Sequence, residues 1–189
     1  MSSIVSVDEI RGLNSSIDLS GSAISPAGHI VQVIQDTLGS TTSFAAAAGT
    51  NAYSDSGLSA SITPKSSSNK ILVCYSIFLG YDTYMTKSRI VRDSTPVGIG
   101  SLEGTRSQST CHRNQYATSA QGDQWHVMLH SQKFLDSPNT TSSVTYKIQV
   151  ASWQSSEVYV NRSDIFNNGG ALDYDAIPLS TLTLIEFGG

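Results

Sequence analysis

Residues able to do chemistry are few in this sequence, and the first question is whether any of them can act together. His126 and His130 lie four apart in an alternating stretch, on one face of an expected strand. Four residues of strand cover roughly 13 Å, whereas a zinc ion holds its ligands at about 2 Å. The pair cannot share an ion within one chain; a shared metal would need three copies of one histidine around a threefold axis. Cys111-His112 has no second ligand pair to complete a zinc site. Asp164, Asn167, Asn168, Asp173 and Asp175 offer the oxygen ligands calcium takes, but their spacing matches no calcium loop and reads as a solvated turn. Gly98-Ile99-Gly100 lacks the third glycine and the following helix of a phosphate loop. No nucleophile elbow, HExxH, paired CxxC or Walker sequence occurs. The expectation is a binding or structural protein, not an enzyme, with no cofactor and no metal. Cys74 and Cys111 do not make a disulfide framework and are expected as thiols, Cys74 as a small buried hydrophobe.

Two long polar stretches carry side chains suited to holding a polar ligand. Residues 101–123 contain Arg106, His112, Arg113 and Tyr116, and residues 162–176 contain Phe166, Asn167, Asn168 and Tyr174. Irregular stretches of that length in a compact domain are commonly functional loops. Aromatic faces stack on sugar rings while amide and guanidinium groups bond hydroxyls, so a surface glycan is the ligand class these residues fit. The competing reading is that both loops simply cover a subunit edge.

What positions these loops is a set of strands. Leu58, Ala60 and Ile62 alternate with Ser59, Ser61 and Thr63, the period of a half-buried strand. After Pro64 and a polar connection, residues 71–79 are apolar on both faces: Ile71, Val73, Tyr75, Ile77 and Leu79 on one, Leu72, Cys74 and Phe78 on the other. Such a strand needs two covering partners. One can be the second sheet of a sandwich; the other must be a further layer or a second subunit. Residues 179–187 read the same way, whereas Val144, Tyr146, Ile148 and Val150 alternate with polar residues in a one-sided strand. Further strands are expected at 28–35, 84–92, 97–99, 125–135 and 157–161, and residues 41–55, with their four alanines, as a surface loop. Seven or eight strands with Gly, Pro and Asn turns give an all-β fold, an antiparallel, jelly-roll-like β-sandwich over residues 29–189 preceded by an extended N-terminal segment, 1–28.

Composition narrows the partners. Charged residues are 14% of the 189, against a usual ~25%, and the difference is made up by Ser, Thr, Asn and Gln, which suits an exposed β surface at high local density. A net charge of −4 with no Lys/Arg cluster argues against nucleic acid. No apolar run is long enough for a membrane span, and the start lacks a signal peptide's order. Residues 1–28 hold only isolated apolar side chains, among them Val5, Val7, Ile10 and Leu13, and cannot bury themselves alone. They read as an anchor or stalk that orders against a partner, beside the plainer reading of a loose terminus.

Four blocks, DSGLSASITPKSSSNKILV (55–73), FLDSPNTTSSVTYKIQV (134–150), YVNR (159–162) and STLTLIE (180–186), together with VDEIRG near the start, resemble a family of small tail-fibre-like or virion structural proteins of tailed phages of marine and aquatic bacteria. The stretch 41–55 is longer here than in that family. The resemblance implies a component of the virion surface made in the host cytoplasm: a homotrimeric fibre or appendage. Its N-terminal segment would join it to another virion protein of the capsid, tail or baseplate, and its loops would face the host. A capsid decoration protein and a carbohydrate-binding module are the alternatives.

Overall fold

The structure, a computed structural model, describes residues 27–45, 52–81, 85–113, 125–153, 157–165 and 176–189. Val5, Val7, Ile10, Leu13 and the rest of the anchor segment up to residue 26 lie outside the described residues. Eleven strands occur among the described residues: β1 (Ile30–Leu38), β2 (Thr42–Ala45), β3 (Ser54–Ile62), β4 (Lys70–Tyr81), β5 (Thr86–Arg92), β6 (Thr95–Val97), β7 (Cys111–Arg113), β8 (Val127–Asp136), β9 (Val144–Ser152), β10 (Glu157–Val160) and β11 (Ser180–Phe187).

All pairings are antiparallel and form two sheets. In the larger, β8 runs along one edge of β4, while β11 and then β10 share the other edge; β1 flanks β11 and β2 flanks β10. The smaller sheet has the order β3-β9-β5, with β6 and β7 sharing the far edge of β5. Setting aside the short β2 and β10, the pairs β1·β11, β3·β9, β4·β8 and β5·β6/β7 nest as a long hairpin rolled into two four-stranded layers. That is a jelly roll, so the sandwich and its connectivity match the expectation from sequence.

The core follows from strand alternation. Leu58 and Ile62 of β3, Ile71 to Leu79 at odd positions of β4, Ile90 of β5, Tyr146 and Ile148 of β9 and Leu182 and Leu184 of β11 are all fully buried between the sheets. Each such side chain contributes on the order of 1.5–3 kcal/mol by leaving water.

Polar residues of the four sequence blocks fasten this core at its ends. Glu186, buried on β11, accepts hydrogen bonds from Asn69 Nδ2 (2.6 Å), the Lys65 amide (2.7 Å) and Gln32, tying the 63–69 connection and β1 to the last strand. Burial alone would raise its pKa, but those donors outweigh it and hold the carboxyl below its ordinary value. Asp136 takes Arg92 Nη1 and the Tyr146 hydroxyl, each at 2.7 Å. Asn161, at φ 57°, donates to the carbonyls of Leu38 and Ser40 and accepts from Ser180; asparagine tolerates that left-handed backbone better than most residues. Beside it, a Cβ on Gly80 would run into the carbonyl of Arg162, so only glycine lets the two backbones approach.

Four expectations are corrected. The stretch 41–55 is not only a surface loop, because Thr42–Ala45 pairs with β10 and Phe44 packs on the core. The polar stretch 101–123 contains the strand Cys111–Arg113, recruited by the open edge of β5. His126 and His130 do not share a strand face, since His126 precedes β8 and is exposed while His130 is fully buried between the layers. Cys74 is a free thiol as expected, but half-buried and on the outside of the larger sheet.

Candidate functional site

The two sheets turn opposite faces outward. On the smaller sheet, Thr86, Ser88 and Ile90 of β5 point inward, which sends Lys87, Arg89 and Val91 out. The β5·β7 register sets His112 directly opposite Lys87. Residues 98–110 fold back over this face. Thr110 donates its amide to the Ser88 carbonyl (2.9 Å), its Oγ1 accepts from the Ile90 amide (3.1 Å), and Gln108 Nε2 bonds the Gly100 carbonyl (2.7 Å). Tyr53 fixes the loop from beneath: its hydroxyl donates to the Gln108 carbonyl at 2.8 Å and its ring centroid lies 4.0 Å from the Arg89 guanidinium. Burial pushes the Tyr53 hydroxyl up to about 12 in spite of Arg89, so it stays a neutral donor.

Between this loop, β5 and β7 lies a cleft of about 330 Å³. Lys87 forms its floor, 4% exposed, with Nζ donating to Ser107 Oγ at 2.9 Å. Arg106 and His112 stand at the rim, Met85 and Trp153 supply apolar wall, and Thr105, Ser107 and Ser109 supply polar groups. The imidazole Nε2 of His112 sits 3.2 Å from Met85 Sδ. Burial, and then the neighbouring Lys87, lower the His112 pKa, and burial lowers that of Lys87. Arg106 is largely solvent-exposed, 3.7 Å from Glu103 in an open ion pair.

Of the residues singled out from sequence, Arg106 and His112 therefore meet in one cleft. Arg113 does not join them: its neighbour in the ladder is Thr86, an inward position, and its guanidinium reaches the Leu129 carbonyl at 3.4 Å. Tyr116, Phe166, Asn167, Asn168 and Tyr174 lie outside the described residues. Met85, Lys87 and Trp153 were not legible as site residues; the signal for Lys87 was its place at an outward position of an otherwise buried strand.

The larger sheet presents something different. Across β1, β11, β4 and β8, the register lines up Val33, Ile185, Leu72 and Leu135 on the outer face. Val33 is 56% and Leu135 48% exposed, with Ile30 at 57% beside them. An apolar hollow of about 590 Å³, bordered by Leu72, Leu135, Phe187, Ala27 and Gly28, opens next to this row. The adjoining rows are Gln35-Thr183-Cys74-Lys133 and Thr37-Thr181-Ser76-Ser131, hydroxyl-rich with one charge. No described layer covers this face.

Among the described residues no group of three His, Cys, Asp or Glu side chains could hold a metal ion, and no helix is long and apolar enough to cross a membrane. No protein-family model matches the chain, and no curated protein matches it.

Proposed function

We propose that this chain is a non-enzymatic structural protein of a phage virion: a homotrimeric fibre or appendage, joined to another virion protein by residues 1–28 and turning its loops toward the host. The observation that carries the reading is the apolar row Val33-Ile185-Leu72-Leu135 on the larger sheet, which no described layer covers. A row spanning four strands is too continuous for scattered surface hydrophobes and marks an interaction site. Four strands about 4.8 Å apart and about ten residues long present on the order of 600 Å², approaching the roughly 800 Å² per partner of a standard interface.

A second copy is the favoured occupant because the face is nearly uncharged: hydroxyl rows with Lys133 and Lys70 at the margin bring little charge repulsion between like chains gathered around a threefold axis. The four sequence blocks that resemble phage virion proteins support the particle context. So does the jelly roll, which viral coat and lectin domains use, although fold alone is analogy. Sedimentation of the full chain at micromolar concentration should give one species of three chains, and particles carrying a labelled copy should show it as an appendage. A monomer of 20.1 kDa overturns the assembly; label spread evenly over the shell makes the protein a decoration.

A further inference from the structure

We propose that the seam between β7 and β8, where an edge of the smaller sheet meets an edge of the larger, is an acid-opened joint with His130 as its trigger. Among the described residues two bonds join the strands there: Arg113 Nη2 donates to the Leu129 carbonyl at 3.4 Å, and the Ser131 amide donates to Cys111 Sγ. Leu129 and Ser131 are the two chain neighbours of His130, so both fastenings sit directly beside the buried ring. The two strands differ in what else holds them. β8 is paired with β4 over the ten residues from Val127 to Asp136, whereas β7 is paired with β5 over three. A seam that gives way therefore releases β7 and leaves β8 in its sheet.

His130 stands opposite Ile77 in the β4·β8 register, fully buried, and reaches across to β5. Its Nε2 lies 2.8 Å from Thr86 Oγ1 and its Nδ1 3.0 Å from Ser88 Oγ, which also bonds the Tyr75 hydroxyl at 2.9 Å. A neutral imidazole donates from one nitrogen and accepts at the other, and hydroxyls serve either way. A charged ring donates from both nitrogens, which fixes Thr86 and Ser88 as acceptors and leaves the charge on neutral partners in a dry layer. The groups around it do not offset that cost. From β7 come Arg113 and His112, which disfavour another positive charge, and Cys111, whose thiol pKa burial raises. From β4 comes the Tyr75 hydroxyl, likewise kept neutral by burial. β5 turns Lys87 and Arg89 to its other face, and β8 turns Lys133 to the outside of its sheet. Asp136, the carboxylate of β8, is six residues along and engaged with Arg92 and Tyr146. Burial, then Arg113 and His112, hold the ring at about 4 against an ordinary 6.5, and a ring released into water regains the ordinary value. The open seam therefore takes the proton first: the joint is closed above about pH 6.5 and loosens as pH falls toward 4. With those two values the ratio of open to closed rises about 30-fold between pH 8 and pH 5.

The seam lies toward the opposite end of β8 from Leu135, so the inference stands whether or not the chain assembles through the apolar row. The test is amide hydrogen exchange of the purified full chain at pH 8 and pH 5, with each amide compared with its own unstructured rate at that pH. Protection of the Ser131 amide and of the amides of residues 111–113 should fall about 30-fold between the two. At pH 5 it should lie at least about tenfold below that of β3 and β9, which open only with the whole molecule. His130→Gln bonds hydroxyls through its amide and takes no charge, so the fall should shrink there to a few-fold, the share of His112. Seam protection that does not change with pH, seam protection equal to that of β3 and β9 at pH 5, or a full fall persisting in His130→Gln overturns the proposal. Should that variant fail to fold, His112→Gln, at a surface position, decides instead: the fall should stay above about tenfold, and its disappearance would make His112 the trigger and sink the assignment to His130.

Discussion

The outer faces of the two sheets are built from the same alternation and carry opposite chemistry. On the smaller sheet, outward positions read Lys87, Arg89, Lys147, Gln149, Ser59 and Ser61, knitted by Lys147 to Asp55 at 2.7 Å and Arg89 to Gln149 at 2.9 Å, and partly roofed by residues 98–110. On the larger sheet, the equivalent positions read Val33, Ile185, Leu72 and Leu135, flanked by hydroxyls and covered by no described layer. Folding dictates only the inward half of each strand. The outward half is free to vary, and here one face is apolar and hydroxyl-rich while the other is charged and amide-rich.

The comparison breaks most completely at Ile185. Lys in its place would put a charge in the middle of the apolar row, and three such charges would meet in the proposed trimer with no carboxylate in the adjoining rows of described residues. Ile185→Lys should convert the proposed trimer to monomers while leaving the far-ultraviolet spectrum intact. Ser61→Lys, the same charge on the exposed face of the smaller sheet, should leave sedimentation unchanged. If both variants remain trimeric, the copies meet elsewhere and the contrast between the faces loses its meaning.

A second effect, on the order of 3 kcal/mol, concerns the layer that both faces share. His130 is fully buried between the sheets, with Nδ1 3.0 Å from Ser88 Oγ and Nε2 2.8 Å from Thr86 Oγ1. Burial, then Arg113 and His112, depress its pKa from 6.5 to about 4. The unfolded chain therefore binds the proton first: the stability is whole above about pH 6.5 and is lost as pH falls toward 4. Asp55 and Glu186, whose carboxyls are also held low, respond below the ordinary carboxylate range, so the window from 6.5 to about 4.5 belongs to the two histidines whose pKa is lowered, His130 foremost and His112 beside it. Urea melts across that window should show the slope, and His130→Leu, though weaker at pH 7, should lose most of it. A flat profile in the parent protein would mean that water reaches the interlayer and that the faces are not borne by one rigid body.

How much of this the sequence disclosed divides along the same line. Strand alternation placed the core, and the two-sided reading of residues 71–79 located the face that remains uncovered. The short strands β2 and β7 escaped because three or four residues carry no period; tertiary pairing with β10 and β5 makes them. The cleft was half legible. Arg106 and His112 stood out by type on a polar loop, but Lys87 and Trp153 join them only through the β5·β7 register and the path of the chain after β9, neither of which local pattern contains. The four blocks carrying the resemblance proved to hold the fold's polar fastenings, Asn69 with Glu186 and Asn161 with Ser180, and not the cleft.

A smaller effect is expected at Cys74, one row from the apolar stripe. Burial already raises its thiol pKa in the single chain, and a second copy over the face would shield it further. Maleimide labelling of Cys74 should be about tenfold slower in the parent trimer than in Ile185→Lys. Equal rates in the two would place the contact away from the central rows.

The smallest effect should come from deleting residues 1–26, and it sharpens the comparison by asking what covers the apolar hollow. Gly28 donates to the Gly188 carbonyl at 2.7 Å and Gly188 returns a bond to the His29 carbonyl at 2.9 Å, so the β1·β11 ladder is anchored at its start by described residues. Among the described residues, none of the fully buried core side chains precedes β3 in the chain, and the earliest residue packed on the core is Ile34. Removal should therefore cost less than about 1 kcal/mol, leave a cooperative β-rich trimer, and abolish incorporation into particles, as an anchor requires. Yet Ala27 and Gly28 border the 590 Å³ hollow, and the sequence before them carries Val5, Val7, Ile10 and Leu13. If the truncated chain aggregates or melts several degrees lower, the segment itself lines the larger sheet, and the apolar face is a core completed within the chain instead of a surface kept for its copies.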